Sequence, residues 1–155
     1  MTLFGNIPEE GNTYIEPQNK YQEIMAGKNI ISNHEPVVHD EKVIERMATI
    51  PQGGNWQDIP KELGQGGGQH SNNYRRLKED EPSITIKHVS KSMIIHPTYN
   101  RTPTVREVAR LQSFGDDFEI TGTRYDQYQQ LANAVPPLLA KAIAHSVIEM
   151  LEEMN

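Results

Sequence analysis

The sequence predicts an α+β chain in which short strands and loops come first and helices follow. Three observations carry this. Ile84 and Ile86 alternate with Thr85 and Lys87, the period of a half-buried strand. Val105, Val108 and Leu111 recur at helical spacing. Pro136-Pro137 opens a run with Leu139, Ile143, Val147, Met150 and Leu151 on one broad face, and proline is preorganised for a first helical turn. The chain has 155 residues, one domain's worth, but only 35% are apolar, and Gly and Pro supply 11 and 10. The apolar residues concentrate after Ile84. Composition therefore favours a piece that completes its core on a partner over a loop-rich domain that folds alone.

Residues 1–28 show no period, and Tyr14 and Tyr21 are the expected anchors of an extended lead-in that packs on something else or is partly disordered. Between residues 29 and 50, Asp40 is placed to cap a helix whose Val43, Met47 and Ile50 share a face. His34 and His39 lack a third ligand at metal-binding spacing and are expected to be polar surface residues. Gly53-Gly54 permits unusual backbone angles or close approach to another backbone. Trp56, the only tryptophan, could plug a small core or stack on a base. Residues 64–73 are rich in glycine but lack the Gly-Lys-Ser/Thr ending of a phosphate-binding loop.

After the strand-like residues 83–89 and a second short apolar run closed by His96-Pro97, the spacing predicts a capped helix. Thr104 caps it and Glu107, three residues on, reaches back to the cap amide. Gly115 ends it. A second amphipathic segment runs from Tyr125 to Pro137, and the last helix extends to about Met154 with an acidic end, the less favourable sign there. The net charge of −6 argues against a generic nucleic-acid binder. Its distribution softens this: Lys87, Lys91, Arg101, Arg106 and Arg110 face only Glu107 between residues 87 and 114, a local basic face compatible with DNA or simply a solvated one. Absence of cysteine removes disulfides and thiolate metal sites, and no metal is expected. No signal peptide and no run long enough to span a bilayer are recognised, so the expectation is a soluble, cytoplasmic protein.

TPTVREVARLQSFGDDF followed by YDQYQQLANAVPPLLAKAIA resembles the ninth and tenth conserved motifs of DNA (cytosine-5) methyltransferases. Upstream, the Gly-Gly-Asn-Trp segment, Tyr74-Arg75-Arg76-Leu77, the Pro-Ser-x-Thr-Ile run and His96-Pro97 are similar to the target-recognition region of such enzymes. Gly115 stands where the family usually has Pro, and Ala132 where it has Gly. The family's Pro-Cys nucleophile, its Gly-rich cofactor turn, its Glu-Asn-Val motif and its Gln-x-Arg-x-Arg motif are missing. A thiolate is needed to attack carbon 6 of cytosine. A chain without cysteine is therefore expected not to methylate DNA alone.

The resemblance implies an organisation and a set of roles. Residues 1–28 would be the lead-in and residues 29–100 the target-recognition region. Residues 101–155 would be helices that complete a Rossmann-like S-adenosylmethionine-dependent fold by packing on a catalytic polypeptide. Asn133, Ala134 and Val135 would complete the S-adenosylmethionine pocket, the lesser alternative being that Asn133 is a helix cap without cofactor contact. Arg75, Arg76, Thr85 and Lys87 would meet double-stranded DNA. Thr104, Arg106 and Glu107 would be structural, with the five-donor fork of Arg106 holding the recognition region. The function implied is the C-terminal portion or subunit of a restriction–modification methyltransferase. The competing class is a non-catalytic DNA-binding remnant, and a truncation of a longer enzyme is a third possibility.

Overall fold

The computed structural model describes residues 16–27, 31–64 and 72–154. Among the described residues there are six helices: α1 (Lys20–Met25), α2 (Glu41–Ala48), α3 (Val89–Ser92), α4 (Val105–Leu111), α5 (Arg124–Asn133) and α6 (Pro137–Glu153). Two 3-10 turns, Trp56–Asp58 and Lys61–Leu63, follow α2.

The predicted strand at residues 83–89 does not form. Burial alternates there, with Ile86 and His88 inside and Thr85 and Lys87 outside, but no ladder is present among the described residues. The side-chain period was legible, whereas a strand also needs a neighbour whose backbone groups face it. The sheet-like element is instead a parallel bridge between Arg76 and Ile95. Around it, Leu77 donates to Ile95 O (3.0 Å) and Ile95 to Arg75 O (2.9 Å). On the other side Arg76 exchanges backbone hydrogen bonds with Gly53 and Gly54 at 3.0 and 3.1 Å. Gly53 has φ +77°, and a Cβ there would lie 2.5 Å from Lys78 Cε, so the glycine pair serves the close approach its sequence allowed.

Two apolar clusters flank this extended layer. Met47, Ile50, Ile59, Tyr74 and Ile95 form one, with the Trp56 ring packed against it, so Trp56 is a core side chain. Leu77, Ile86, Val89, Ile94, Val105, Val108, Tyr128 and Leu131 are in the other, where α4 packs on α5. α2 buries Met47, its face read as expected, although the Asp40 side chain makes no capping bond. α4 carries the predicted capping box: Thr104 Oγ1 accepts from Glu107 N (3.2 Å) and Glu107 Oε2 accepts from Thr104 N (2.7 Å). α5 opens on an equivalent pair, Thr123 and Asp126, which the sequence analysis missed. Tyr128 ties the helices by donating to Pro103 O (2.7 Å), and burial pushes its phenol up to about 12.

The lead-in is corrected in part. Residues 20–25 are helical, capped by Asn19, whose Oδ1 accepts from Gln22 N (3.0 Å). The Tyr21 hydroxyl donates to Arg110 O, and Asp116 N donates to Met25 O (2.7 Å), so this segment packs on the end of α4. Tyr14 and the rest of the lead-in before residue 16 lie outside the described residues.

α6 differs from every other long element. None of its residues is buried, and Leu138, Leu139, Ile143, Val147, Ile148, Met150 and Leu151 are all exposed. The stretch Arg124–Glu153 reaches a mean hydropathy of 1.3 over 18 residues and by length and composition could cross a membrane. The expectation from sequence is that no such run exists; this stretch is interrupted at residues 134–136, between α5 and α6, and α6 itself is 17 residues with Lys141, His145 and Glu149 on it. A bare apolar stripe with a polar reverse side is the pattern of a helix that docks on another surface.

Candidate functional site

A cleft of about 630 Å³ runs between the residues 80–86 segment and the helices α4, α5 and α6. Thr85 lines one wall; Ala132 and Ala134 line the other, with Leu111, Pro136 and Leu139 alongside. The structure thus brings the predicted DNA-facing threonine to the same cleft as part of the predicted cofactor segment. Asn133 and Val135 are exposed. Asn133 is the last residue of α5 and its Oδ1 accepts from Gln129 Nε2 (3.1 Å), so it does not cap the following helix. The Ala132 Cβ stands in the cleft wall, where the family's glycine would leave more room.

The walls are positioned by arginines. Arg106 is completely buried. Its Nε donates to Ser32 O (3.0 Å), Nη1 to Gly115 O (2.8 Å), and Nη2 to Phe118 O (2.8 Å) and Ser32 Oγ (2.9 Å). This one fork ties residue 32 to both sides of the turn that follows α4. Gly115 needs space rather than unusual angles, since a Cβ there would lie 2.8 Å from Asp117 Oδ1.

Arg76 is corrected by the structure. It is only 5% exposed and does not face a ligand. Its donors go to Ile50 O (2.7 Å), Met47 O (2.5 Å), His96 O (2.9 Å), Tyr99 O (3.0 Å) and Asn100 Oδ1 (2.7 Å). It adds a side-chain donor to the Met47 carbonyl at the end of α2, which also accepts from Ile50 N (3.1 Å), and clamps that end to the loop before α4. Burial holds its guanidinium below the ordinary arginine range. Sequence spacing could not distinguish Arg76 from Arg75, which keeps a partly exposed side chain.

The local basic face predicted between residues 87 and 114 also dissolves. Arg101 forms a two-pronged pair with Glu107 (2.8 and 2.9 Å), and Arg110 one with Asp116 (2.8 and 2.6 Å). With Arg106 buried, only Lys87 and Lys91 of that set remain exposed. Burial alone would raise the Glu107 pKa, but the Arg101 guanidinium outweighs it and holds the carboxylate below its usual range. The histidines are corrected too. His34 is buried, with Nδ1 2.9 Å from Thr104 Oγ1; His39 Nε2 lies 3.2 Å from Thr102 Oγ1. Burial lowers both pKa values, so they are neutral structural partners of the helix α4 entrance. No group of residues able to hold a metal occurs among the described residues.

The family model for C-5 cytosine-specific DNA methylases matches residues 5–149. The chain belongs to this family. It is 40% identical over 142 residues to the Type II methyltransferase M1.HphI of Haemophilus parahaemolyticus, covering 91% of this chain and 38% of that protein. It is 40% identical over 139 residues to the Type II methyltransferase M.AquIB of Picosynechococcus, covering 82% of this chain and 95% of that protein. For the Type II methyltransferase M.DdeI of Desulfomicrobium norvegicum the identity is 36%, over 38% of its length. The chain therefore spans about two fifths of M1.HphI and M.DdeI, but nearly all of M.AquIB. A crystal structure of a proposed prophage DNA modification methyltransferase from E. coli superposes with a TM-score of 0.71 at 21% identity, covering 97% of this chain and 46% of that one. The fold is thus one found in a methyltransferase.

Proposed function

We propose that this chain is the C-terminal, target-recognition portion of a restriction–modification DNA cytosine-5 methyltransferase, acting in the cytoplasm on double-stranded DNA with a catalytic portion that this sequence lacks. The observation that carries the reading is the unfinished core: a family member without cysteine whose last helix is apolar, long and entirely unburied. The nucleophile must come from elsewhere, and the exposed face of α6 is where that portion would dock. M.AquIB, covered for 95% of its length, supports this, because a relative of about this extent carries the name of a Type II methyltransferase.

S-Adenosylmethionine, the methyl donor implied by the family, is tested by the chemistry of the cleft. Asn133, Ala134 and Val135 can supply one edge: an exposed amide for hydrogen bonding and a short apolar stretch with Val135 exposed. Ala132 and Ala134 give an apolar wall. These residues fit one side of the cofactor and cannot enclose it, as expected if the catalytic portion supplies the rest. Thr85, on the facing wall, would approach the DNA, with base contacts specifying sequence and phosphate contacts only positioning it. The target cytosine would be flipped out of the duplex into the partner's pocket.

The test is reconstitution. The chain is mixed with a polypeptide from the same genome that carries the Pro-Cys and Gly-rich motifs, and methyl transfer to duplex DNA is measured. Activity only when both are present supports the reading. A catalytic polypeptide equally active without this chain would overturn it, and an inactive pair that still binds DNA would favour the remnant.

A further inference from the structure

We propose that Lys91 and Tyr125, with Lys87, form a contact for the DNA phosphate backbone, and that this contact is built onto the helix that ends in the cofactor segment. The proposal rests on the DNA-recognition role above and adds α3 and α5 to it.

The geometry begins with His88, which is buried beside the start of α5. Its Nε2 donates to Tyr125 O (3.2 Å), and its ring centroid lies 4.3 Å from that of Tyr125 at 46° and 6.1 Å from that of Tyr128. Tyr125 is thereby fixed, yet its side of α5 leaves it 51% exposed. Lys91 Nζ sits 5.2 Å from the Tyr125 ring centroid. An ammonium held over an aromatic face loses less freedom when a ligand arrives than a free lysine would. The result is a preplaced cation beside a phenol, the side-chain types that bind phosphate oxygens.

Charge decides what would bind. Arg76, Arg101, Arg106 and Arg110 are engaged inside the molecule or in ion pairs. Lys78 pairs with Glu81, and Arg124 approaches Glu35 at 3.6 Å. Lys87 and Lys91 are exposed with no carboxylate partner among the described residues. The nearest carboxylate in sequence on α5, Asp126, turns back onto Thr123 N (3.2 Å) and Thr123 Oγ1 (2.5 Å). Thr85 and Lys87 alternate outward along one segment, and Lys91 follows on α3. Beyond the Asp80 and Glu81 end of the cleft, a polyanion approaching this acidic chain therefore meets two exposed lysines, Lys87 and Lys91, that follow Thr85 along the chain. At its other end α5 stops at Asn133, about 12 Å from Tyr125 along the axis at about 1.5 Å per residue. One rigid helix would thus carry a DNA contact at its start and the cofactor segment at its end.

The experiment is a fluorescence-anisotropy titration of a labelled mixed-sequence duplex with the full chain over a series of salt concentrations. Lys91→Gln and Lys87→Gln should each weaken binding and reduce the salt slope by about 1. Tyr125→Leu should weaken binding in the wild-type chain but add little in the Lys91→Gln background, because its task is to place Lys91. Melting curves check that the lysine variants, altered only at the surface, remain folded. If both lysine variants keep wild-type affinity and slope while Arg75→Gln loses affinity, this contact is overturned and the DNA-recognition role survives. A wild-type chain that does not bind the duplex overturns both.

Discussion

Arg106 is entirely buried, whereas Ile143 and Val147, on α6, are about half exposed. The entrance of α4 and the length of α6 thus invert the usual placement of charge and apolar surface. The difference lies in what each region has to satisfy. Around α4 the chain crosses itself in irregular loops, whose carbonyls have no ladder partners, and planar guanidinium forks can meet several of them at once. Along α6 the backbone is satisfied by the helix itself, and what stays open is its exposed apolar face. A polar staple can finish one region within the chain; the other can be finished only by another surface.

The largest effect should come from the buried fork. Arg106→Ala removes the guanidinium from the Ser32, Gly115 and Phe118 carbonyls, of which Gly115 O keeps only the Phe118 N–H, and is expected to cost about 3–5 kcal/mol in urea unfolding. Arg106→Lys should recover less than half of this, because one ammonium cannot span three carbonyls. Full recovery by lysine would show that charge, not the fork, is what matters there.

Acid should break the same region next. Burial pushes the His96 imidazole down to about 4. Its Nδ1 accepts from the Thr98 and Tyr99 amides (3.2 Å each), which fixes the neutral form. The unfolded chain takes up this proton near pH 6.5 and the folded chain does not. Stability is therefore fully present above about pH 6.5 and is lost as pH falls toward 4. The contribution is about 3 kcal/mol. Glu107, whose carboxylate is held low, extends the loss at still lower pH as its Arg101 pair is protonated away. Unfolding measured across this range should slope with pH, and His96→Gln should flatten the slope between 6.5 and 4. A wild-type profile flat across that interval would refute the neutral, buried imidazole.

On α6 the expectation reverses. Ile143→Glu with Val147→Glu should change folding stability by no more than about 0.5 kcal/mol, as for surface positions, yet abolish assembly with the catalytic portion in size-exclusion chromatography. A large loss of stability without the partner would mean that the face is already covered within the chain. The smallest structural effect is at Asn133. Asn133→Ala should leave unfolding and DNA affinity unchanged while lowering methyl-transfer turnover of the assembled enzyme. Unaltered turnover would remove Asn133 from the cofactor edge.

The sequence by itself determined the elements that rest on local chemistry. The Thr104–Glu107 capping box, the Val105–Leu111 helix, the Met47 face of α2 and the proline start of α6 were all readable, because their partners lie within a few residues. The motifs also placed the chain in its family, and the glycine pair signalled a close backbone approach that the structure contains. Only the tertiary structure decided which charges are available. Arg75 and Arg76 are adjacent in sequence, yet Arg76 is consumed by carbonyls 20 to 29 residues away. Arg101, Arg106 and Arg110 looked like a basic face until the fold supplied each with an acceptor. His34 and His39 passed for surface residues because their threonine partners lie 70 and 63 residues on. The strand pattern at residues 83–89 likewise described which side chains face inward, but pairing depends on a neighbour that the local sequence does not specify. Periodicity reports burial; the hydrogen-bond acceptors that claim a buried charge come from distant chain, and only folding brings them together.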